Sequence, residues 1–479
     1  MGGKAELMTS RERLERLLGE RNIGRWFISF CLLFGIPLIF LYPPFIASDE
    51  IAHFYRAYQI SEFTIIAEAR WPDGGGMLPR SLSETTGALT TGMFRVPGFT
   101  LDMLDDIPKL PLNPGDRVWT AFTNTALYSP LAYLPQAAGL LVGRLLSLTP
   151  LTLQYIARVC SLLTWAAMGA YALKIVPFFK NVLFLILLTP LVFSKAAVVT
   201  ADVVTVGACA ILSCHILRMA FGEGCITRRD ILLLFGWAAL VGLCKITYAP
   251  LVALCFMIPA ERLGGRKRFF LICGGAVLLA FVVNLLWTGI LVSNQPLQTS
   301  NTAQPAEQVR YMLRNPFAFV MVVLRYTYER MPINARYILG EIIVWDHVWM
   351  PVWVIFMLWV SIVLAAAADK ATVVIQAWKR AGVLAVVLIT YVVIIASLYV
   401  SFTLPRLDYV QGMQARYMLP LLFPMMLLIK NDRFSEVFSR RLDRLSTRIP
   451  SAIVLPSVCL LVSFVSLTML LVVMYVRFV

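Results

Sequence analysis

The stretch Ser48-Asp49-Glu50-Ile51-Ala52-His53-Phe54-Tyr55-Arg56 gathers two carboxylates, an imidazole and a guanidinium within little more than two helical turns. Read as a helix, it is capped by Ser48, and both acids fall in the first turn, where the helix dipole favours negative charge. Asp49 and His53 then share a face at i, i+4, with Ala52 and Arg56 beside them. A structural reading makes this an N-capped interfacial helix with a salt bridge to Arg56. A functional reading makes one carboxylate a general base at the mouth of a membrane cavity. Metal ligation by Asp49, His53 and His347 is the weakest fit, because the paired histidines of a zinc site are missing. A second group is cationic: Lys195, Lys245, Arg406 and Arg416. Singly, each can snorkel to headgroups. Together they suit one bound phosphate. Arg158, Asp202, Asp346, His347 and Asp408 add ionisable groups on the same side, whereas His215 sits on an apolar face and reads as a packed, hydrogen-bonded core residue.

The elements that position these groups follow from composition. Of 479 residues, 59% are hydrophobic and 14% charged, where a soluble domain is about half apolar and a quarter charged. Apolar blocks about 20 residues long, such as Trp26 to Ile46, match the thickness of the hydrocarbon core. The composition therefore specifies an all-α polytopic membrane protein and excludes a soluble enzyme, a disordered chain and a disulfide scaffold. Eight of the nine cysteines lie in apolar blocks and Cys225 in a short loop. The net charge of +15 reads as loop lysines and arginines that orient helices, not as a nucleic-acid site.

Apolar blocks fall near 26–46, 126–147, 156–176, 181–197, 202–221, 231–245, 247–260, 269–292, 349–367, 382–402, 416–430 and 451–476. If all cross, Lys174 and Lys180, Arg228 and Arg229, Arg262 to Arg268, Lys379 and Arg380, and the basic run 430–448 all fall outside. Removing 126–147 from the count returns every one of these loops to the inside. That block carries Pro130, Pro135 and Arg144 and suits an interfacial helix. The expectation is about eleven transmembrane helices in one integral domain, 26–476, with a basic cytoplasmic segment, 1–25. Two long outer loops follow, 47–157 and 293–348, the second with a helix over Glu307 to Leu324. Gly74-Gly75-Gly76 reads as a flexible loop tip. No internal repeat is visible, which argues against transporters built from inverted halves.

The segment Pro43 to Tyr58 resembles the opening of a family of bacterial polytopic membrane proteins catalogued as a domain of unknown function. Val410 to Pro420 resembles its closing signature, with Ala415 where that family usually has Gly. Lys245-Ile246-Thr247-Tyr248 and Gly340 to Asp346 resemble further blocks, so the likeness runs from about residue 25 to 430. The family in turn resembles the class C glycosyltransferases (GT-C fold), which use polyprenyl-phosphate sugars outside the membrane. The matching positions are Asp49-Glu50, Pro130-Leu131 and Asp202.

This resemblance implies an inverting glycosyltransferase of the bacterial inner membrane. It would move a sugar from a polyprenyl-phosphate donor to a cell-envelope glycan or a lipid-linked acceptor on the outer face, with membrane lipids and no nucleic acid as partners. Asp49 is the expected base, with Glu50 as its catalytic partner; Glu50 or Asp202 would orient the acceptor or hold a divalent cation. Lys195, Lys245, Arg406 and Arg416 would neutralise the phosphate. His53, Arg56, Arg158, Asp346, His347 and Tyr417 complete the expected substrate-binding set. Two other classes stay open. A flippase for lipid-linked glycans would carry polar groups through the whole membrane depth. A non-catalytic scaffold would leave the outer charges as paired structural contacts, and Asp49 and Arg416 far apart in separate ion pairs would favour it.

Overall fold

Hydrocarbon offers a backbone N–H or C=O no partner, so apolar blocks fold into helices that satisfy these groups internally. The computed structural model describes residues 18–70, 73–93, 100, 104, 110–294, 304–344, 348–369, 373–445 and 451–479. Among these residues, 6 helices are long and apolar enough to cross a membrane: Ile23–Leu41, Pro150–Ile175, Asp202–Phe221, Arg266–Leu291, Ala377–Ser401 and Ile453–Phe478.

The other blocks in the expected eleven form shorter or broken elements. Block 181–197 breaks at Thr189-Pro190 into Lys180–Leu187 and Pro190–Ala196. Block 231–245 lies in the 17-residue helix Arg228–Cys244. Block 247–260 is a 3-10 helix, Ile246–Met257, with Pro250 inside. Val352–Ala367 has 16 residues, and Leu419–Met426 has 8 with Pro424 inside. Proline removes a ladder donor and crowds the preceding turn, which accounts for the break at Pro190 and the irregular helix around Pro250; Arg228–Cys244 and Val352–Ala367 contain no proline and are simply shorter. Residues 181–201 are buried throughout. Non-helical backbone at such depth must find protein partners. Here the Val199 N–H donates to Glu50 at 3.0 Å and the Thr200 carbonyl accepts from Gln136 at 3.1 Å.

Packing ties the ends of the chain together. Phe34 and Phe30 on the first spanning helix meet Phe464 on the last, with centroids 5.5 and 6.5 Å apart. Elsewhere, a Cβ on Gly242 would lie 2.1 Å from the Ala280 carbonyl. Glycine there lets Arg228–Cys244 and Arg266–Asn294 cross backbone to backbone.

The first long loop is more structured than a tip of glycines requires. Asp73–Pro79 is the central strand of an antiparallel sheet, flanked by Glu68–Arg70 and Arg117–Ala121. Gly74-Gly75-Gly76 therefore lies in a strand, not at a flexible tip. A Cβ on Gly75 would come 2.2 Å from the Thr120 carbonyl, so the glycine serves close backbone approach. Block 126–147 divides into the 3-10 turn Pro130–Tyr133 and the 12-residue helix Leu134–Leu145, which rises only about 18 Å.

In the second loop, Asn315-Pro316 splits the expected single helix into Pro305–Arg314 and Pro316–Tyr337. The latter lies along the membrane helices: Phe319 packs on Tyr399 at 5.6 Å, Thr327 hydrogen-bonds Tyr391 at 3.0 Å, and Trp359 donates to the Ala335 carbonyl at 2.7 Å.

Candidate functional site

The first spanning helix ends with carbonyls that need donors. Arg158, from helix Pro150–Ile175, supplies them: Nη1 donates to Ile39 and Tyr42 at 2.9 and 2.5 Å, and Nη2 to Pro43 at 2.9 Å. Its Nε and Nη2 also form a fork on Glu50 at 2.8 and 2.7 Å, with both side chains fully buried. Glu50 accepts further from the Phe45 and Val199 N–H groups at 3.1 and 3.0 Å. Every oxygen of Glu50 is thus committed to protein. The pair braces the turn between Tyr42 and Glu50, where Phe45 and Asp49 hold left-handed φ values of 66° and 64°. That region is costly for a phenylalanine and marks a backbone constrained by its surroundings.

Asp49, rather than Ser48, occupies the N-cap of helix Glu50–Ser61. Its carboxylate meets Arg416 Nη2 at 2.6 Å and Asn124 Nδ2 at 3.1 Å. Arg416 Nη1 reaches Asp202 at 3.4 Å, in the first turn of helix Asp202–Phe221. One guanidinium therefore spans two carboxylates. Burial opposes the charge of Asp49, but Arg416 outweighs it and holds the carboxyl below its usual range. His53 is buried, with Nδ1 2.7 Å from the Tyr133 hydroxyl. Burial pushes its imidazole down to about 4, so it is neutral near pH 7. Lys245 ends helix Arg228–Cys244 with Nζ 3.9 Å above the Tyr417 ring, whose own carbonyl accepts from the Tyr248 hydroxyl at 3.0 Å. Asp49, Asp202, Arg416, Lys245 and Tyr417 thus form one cluster drawn from four segments.

A cavity of about 360 Å³ opens beside it, lined by Ser48, Lys195, Arg330 and Arg416 together with Tyr326, Asn334, Tyr337, Gln411 and Gln414. Lys195 is buried in the wall. Asn124 and Arg330 are absent from the sequence-based set. Asn124, in the short helix Thr123–Ala126, is neutral and leaves no signal in the sequence. Arg330 does leave one: Tyr326, Arg330, Asn334 and Tyr337 recur at helical spacing. Among the described residues, a divalent cation does not fit the carboxylates of this cluster. Glu50 is saturated by Arg158 and backbone N–H groups, and Asp49 and Asp202 already share a guanidinium.

Other expected residues lie elsewhere. Arg56 makes no ion pair among the described residues; its helix points it at Gln59 and the Ile65 carbonyl, both at 2.5 Å. Arg406 pairs with Glu307 at 3.0 Å beside a different cavity. Asp346 and His347 lie outside the described residues. His215 is buried, with Nε2 2.8 Å from the Asp230 carbonyl, as a core histidine should be.

Apolar helices around a buried polar cluster define an integral membrane protein. The chain belongs to the DUF2142 family, described as predicted membrane proteins, and the match covers residues 32–426. Neither a curated protein nor a solved structure matches it.

Proposed function

We propose that the chain is an inverting glycosyltransferase of the class C type, acting at the outer face of a bacterial inner membrane on a polyprenyl-phosphate sugar. The observation that carries this reading is the contact of Arg416 with both Asp49 and Asp202 at the edge of a cation-lined cavity. It joins a base to an anion site, which the transfer requires. The acceptor hydroxyl oxygen attacks the anomeric carbon, the bond from that carbon to the phosphate oxygen breaks, and the hydroxyl proton passes to Asp49. The phosphate keeps the bonding electrons, and Arg416, Lys195 and Lys245 stabilise its added charge. Direct displacement with one base inverts the anomeric centre.

The Arg416 contact also explains how a carboxylate held below its usual range serves as a base. A donor phosphate competes for the guanidinium, and an Asp49 released from it becomes more basic. Glu50 and Arg158 are positioning residues that hold the Asp49 turn. In the eleven-crossing topology, the shorter elements would complete their crossings within the protein interior.

The test uses purified chain with a panel of polyprenyl-phosphate sugars and envelope glycans, reading release of polyprenyl phosphate. Asp49→Asn is expected to lower kcat by roughly 10²–10⁴-fold while insertion and melting are retained, because Asp202 still neutralises Arg416. Normal turnover by this variant would remove Asp49 from the role. Absence of release from every donor by the native chain would overturn the reading.

A further inference from the structure

Arg406 stands apart from the Asp49 cluster and lines a second cavity of about 700 Å³, between helix Pro305–Arg314 and the turn that follows spanning helix Ala377–Ser401. Arg310 and Arg314 line the same cavity, one helical turn apart. Three guanidiniums thus face one carboxylate, Glu307, which is already paired with Arg406. Among the described residues, neither Arg310 nor Arg314 makes an ion pair. Like charges at i, i+4 repel, so the cleft holds uncompensated positive charge. The Arg406 backbone is fixed in a left-handed turn, φ 65°, by donating its N–H to the buried Gln308 at 3.0 Å.

The level of this cleft relative to the bilayer follows from its neighbours. Tyr399, near the end of the spanning helix, packs on Phe319, and tyrosines favour the boundary between hydrocarbon and headgroups. From that boundary inward Phe317, Met321, Leu324, Tyr328 and Met331 are exposed along one face of helix Pro316–Tyr337, flanked by the exposed Arg325–Glu329 ion pair. That helix lies against the spanning helix through Thr327 and Tyr391, so the stripe continues a lipid-facing surface. Positive charge at headgroup level above an apolar stripe is complementary to a lipid. Among the described residues lining the cleft, the one carboxylate, Glu307, is already paired with Arg406, which favours an anionic headgroup.

We propose that this cleft binds the phosphate of an anionic phospholipid in the adjoining leaflet, with Arg310, Arg314 and Arg406 on the headgroup and an acyl chain along the stripe. The site is independent of any activity at Asp49.

Native mass spectrometry of the full chain tests it, with phosphatidylglycerol and phosphatidylcholine of matched chains and glycerol 3-phosphate as the water-soluble probe. Phosphatidylglycerol is expected to be retained over phosphatidylcholine. Arg310→Gln with Arg314→Gln should weaken phosphatidylglycerol roughly thirtyfold and leave phosphatidylcholine unchanged. Phe317→Gln with Leu324→Gln should weaken phosphatidylglycerol but not glycerol 3-phosphate. Equal retention of the two lipids, or indifference to the arginine variant, overturns the proposal. Glycerol 3-phosphate binding as tightly as the lipid would make this a free-anion site. Displacement of the lipid by alginate would assign the cleft to an acidic glycan instead.

Discussion

Arg158 and Arg416 put the same side chain to opposite uses. Arg158 is enclosed by fixed acceptors and has no hydrogen to spare, so its charge belongs to the architecture. Arg416 divides its fork between two carboxylates, one of them 35% exposed, and its Nε has no partner among the described residues. Such a group can exchange an acceptor for an incoming anion. Glu50→Gln leaves Arg158 buried without a counter-charge and should cost about 3–5 kcal/mol, read as a lower melting temperature. Replacing both partners, Glu50→Leu with Arg158→Met, should not recover that loss, because the Ile39, Tyr42 and Pro43 carbonyls and the Phe45 and Val199 N–H groups would be left without partners. His53 sets a pH dependence. The unfolded chain takes up its proton near 6.5 and the folded chain near 4. Stability is therefore full above about pH 6.5 and falls as pH drops through that window. Melting followed from pH 7 to 4 should show the loss, and His53→Gln should flatten it. The concentration of ionisable groups in Ser48 to Arg56 is legible from residue types alone. The division of labour between Asp49 and Glu50 is not, because it depends on Arg158 and Val199, 108 and 149 positions from Glu50.

At the scale of elements, proline breaks some apolar runs that hydropathy alone reads as spans, although Pro37 and Pro456 sit within continuous helices. Thr189-Pro190, Pro250 and Pro424 interrupt apolar runs that a sliding window reads as continuous. The broken pieces survive because their freed backbone groups reach side chains such as Glu50 and Gln136. Six long helices are legible directly, since length and apolarity are local properties. The sheet built on Asp73–Pro79 is not, because its glycines resemble a loop until the partner strand is in place. Gly75→Ala tests that account. The added carbon would strike the Thr120 carbonyl, a backbone atom that cannot step aside, and should cost about 1–3 kcal/mol. Faster limited proteolysis between residues 73 and 121, with the membrane helices intact, is the expected readout. Wild-type resistance would mean that the strands separate more easily than their register implies.

Across the whole molecule, helix Asp202–Phe221 acts as a ruler. Its first residue belongs to the Asp49 cluster, and its last lies just before Cys225, about 30 Å away. Cys225 is the exposed one of the nine cysteines, and Arg228 and Arg229 follow it. In the proposed orientation it faces the cytoplasm. An impermeant maleimide should label it in inside-out vesicles and not in intact cells. Labelling from outside would move the whole Asp49 cluster to the inner face. The stacking of the first spanning helix on the last through Phe30, Phe34 and Phe464 bears on biosynthesis. Asp49 and Arg416 lie 367 positions apart. At ribosomal speeds of roughly 5–20 residues per second, Asp49 waits on the order of 20–70 s for its counter-ion. The Glu50–Arg158 brace needs only the first third of the chain, so the nascent protein has a shaped but uncompensated acidic turn long before it has a site. A chain released early would display that turn with its carboxylate bare, a difference between finished and unfinished molecules that a membrane protease could read.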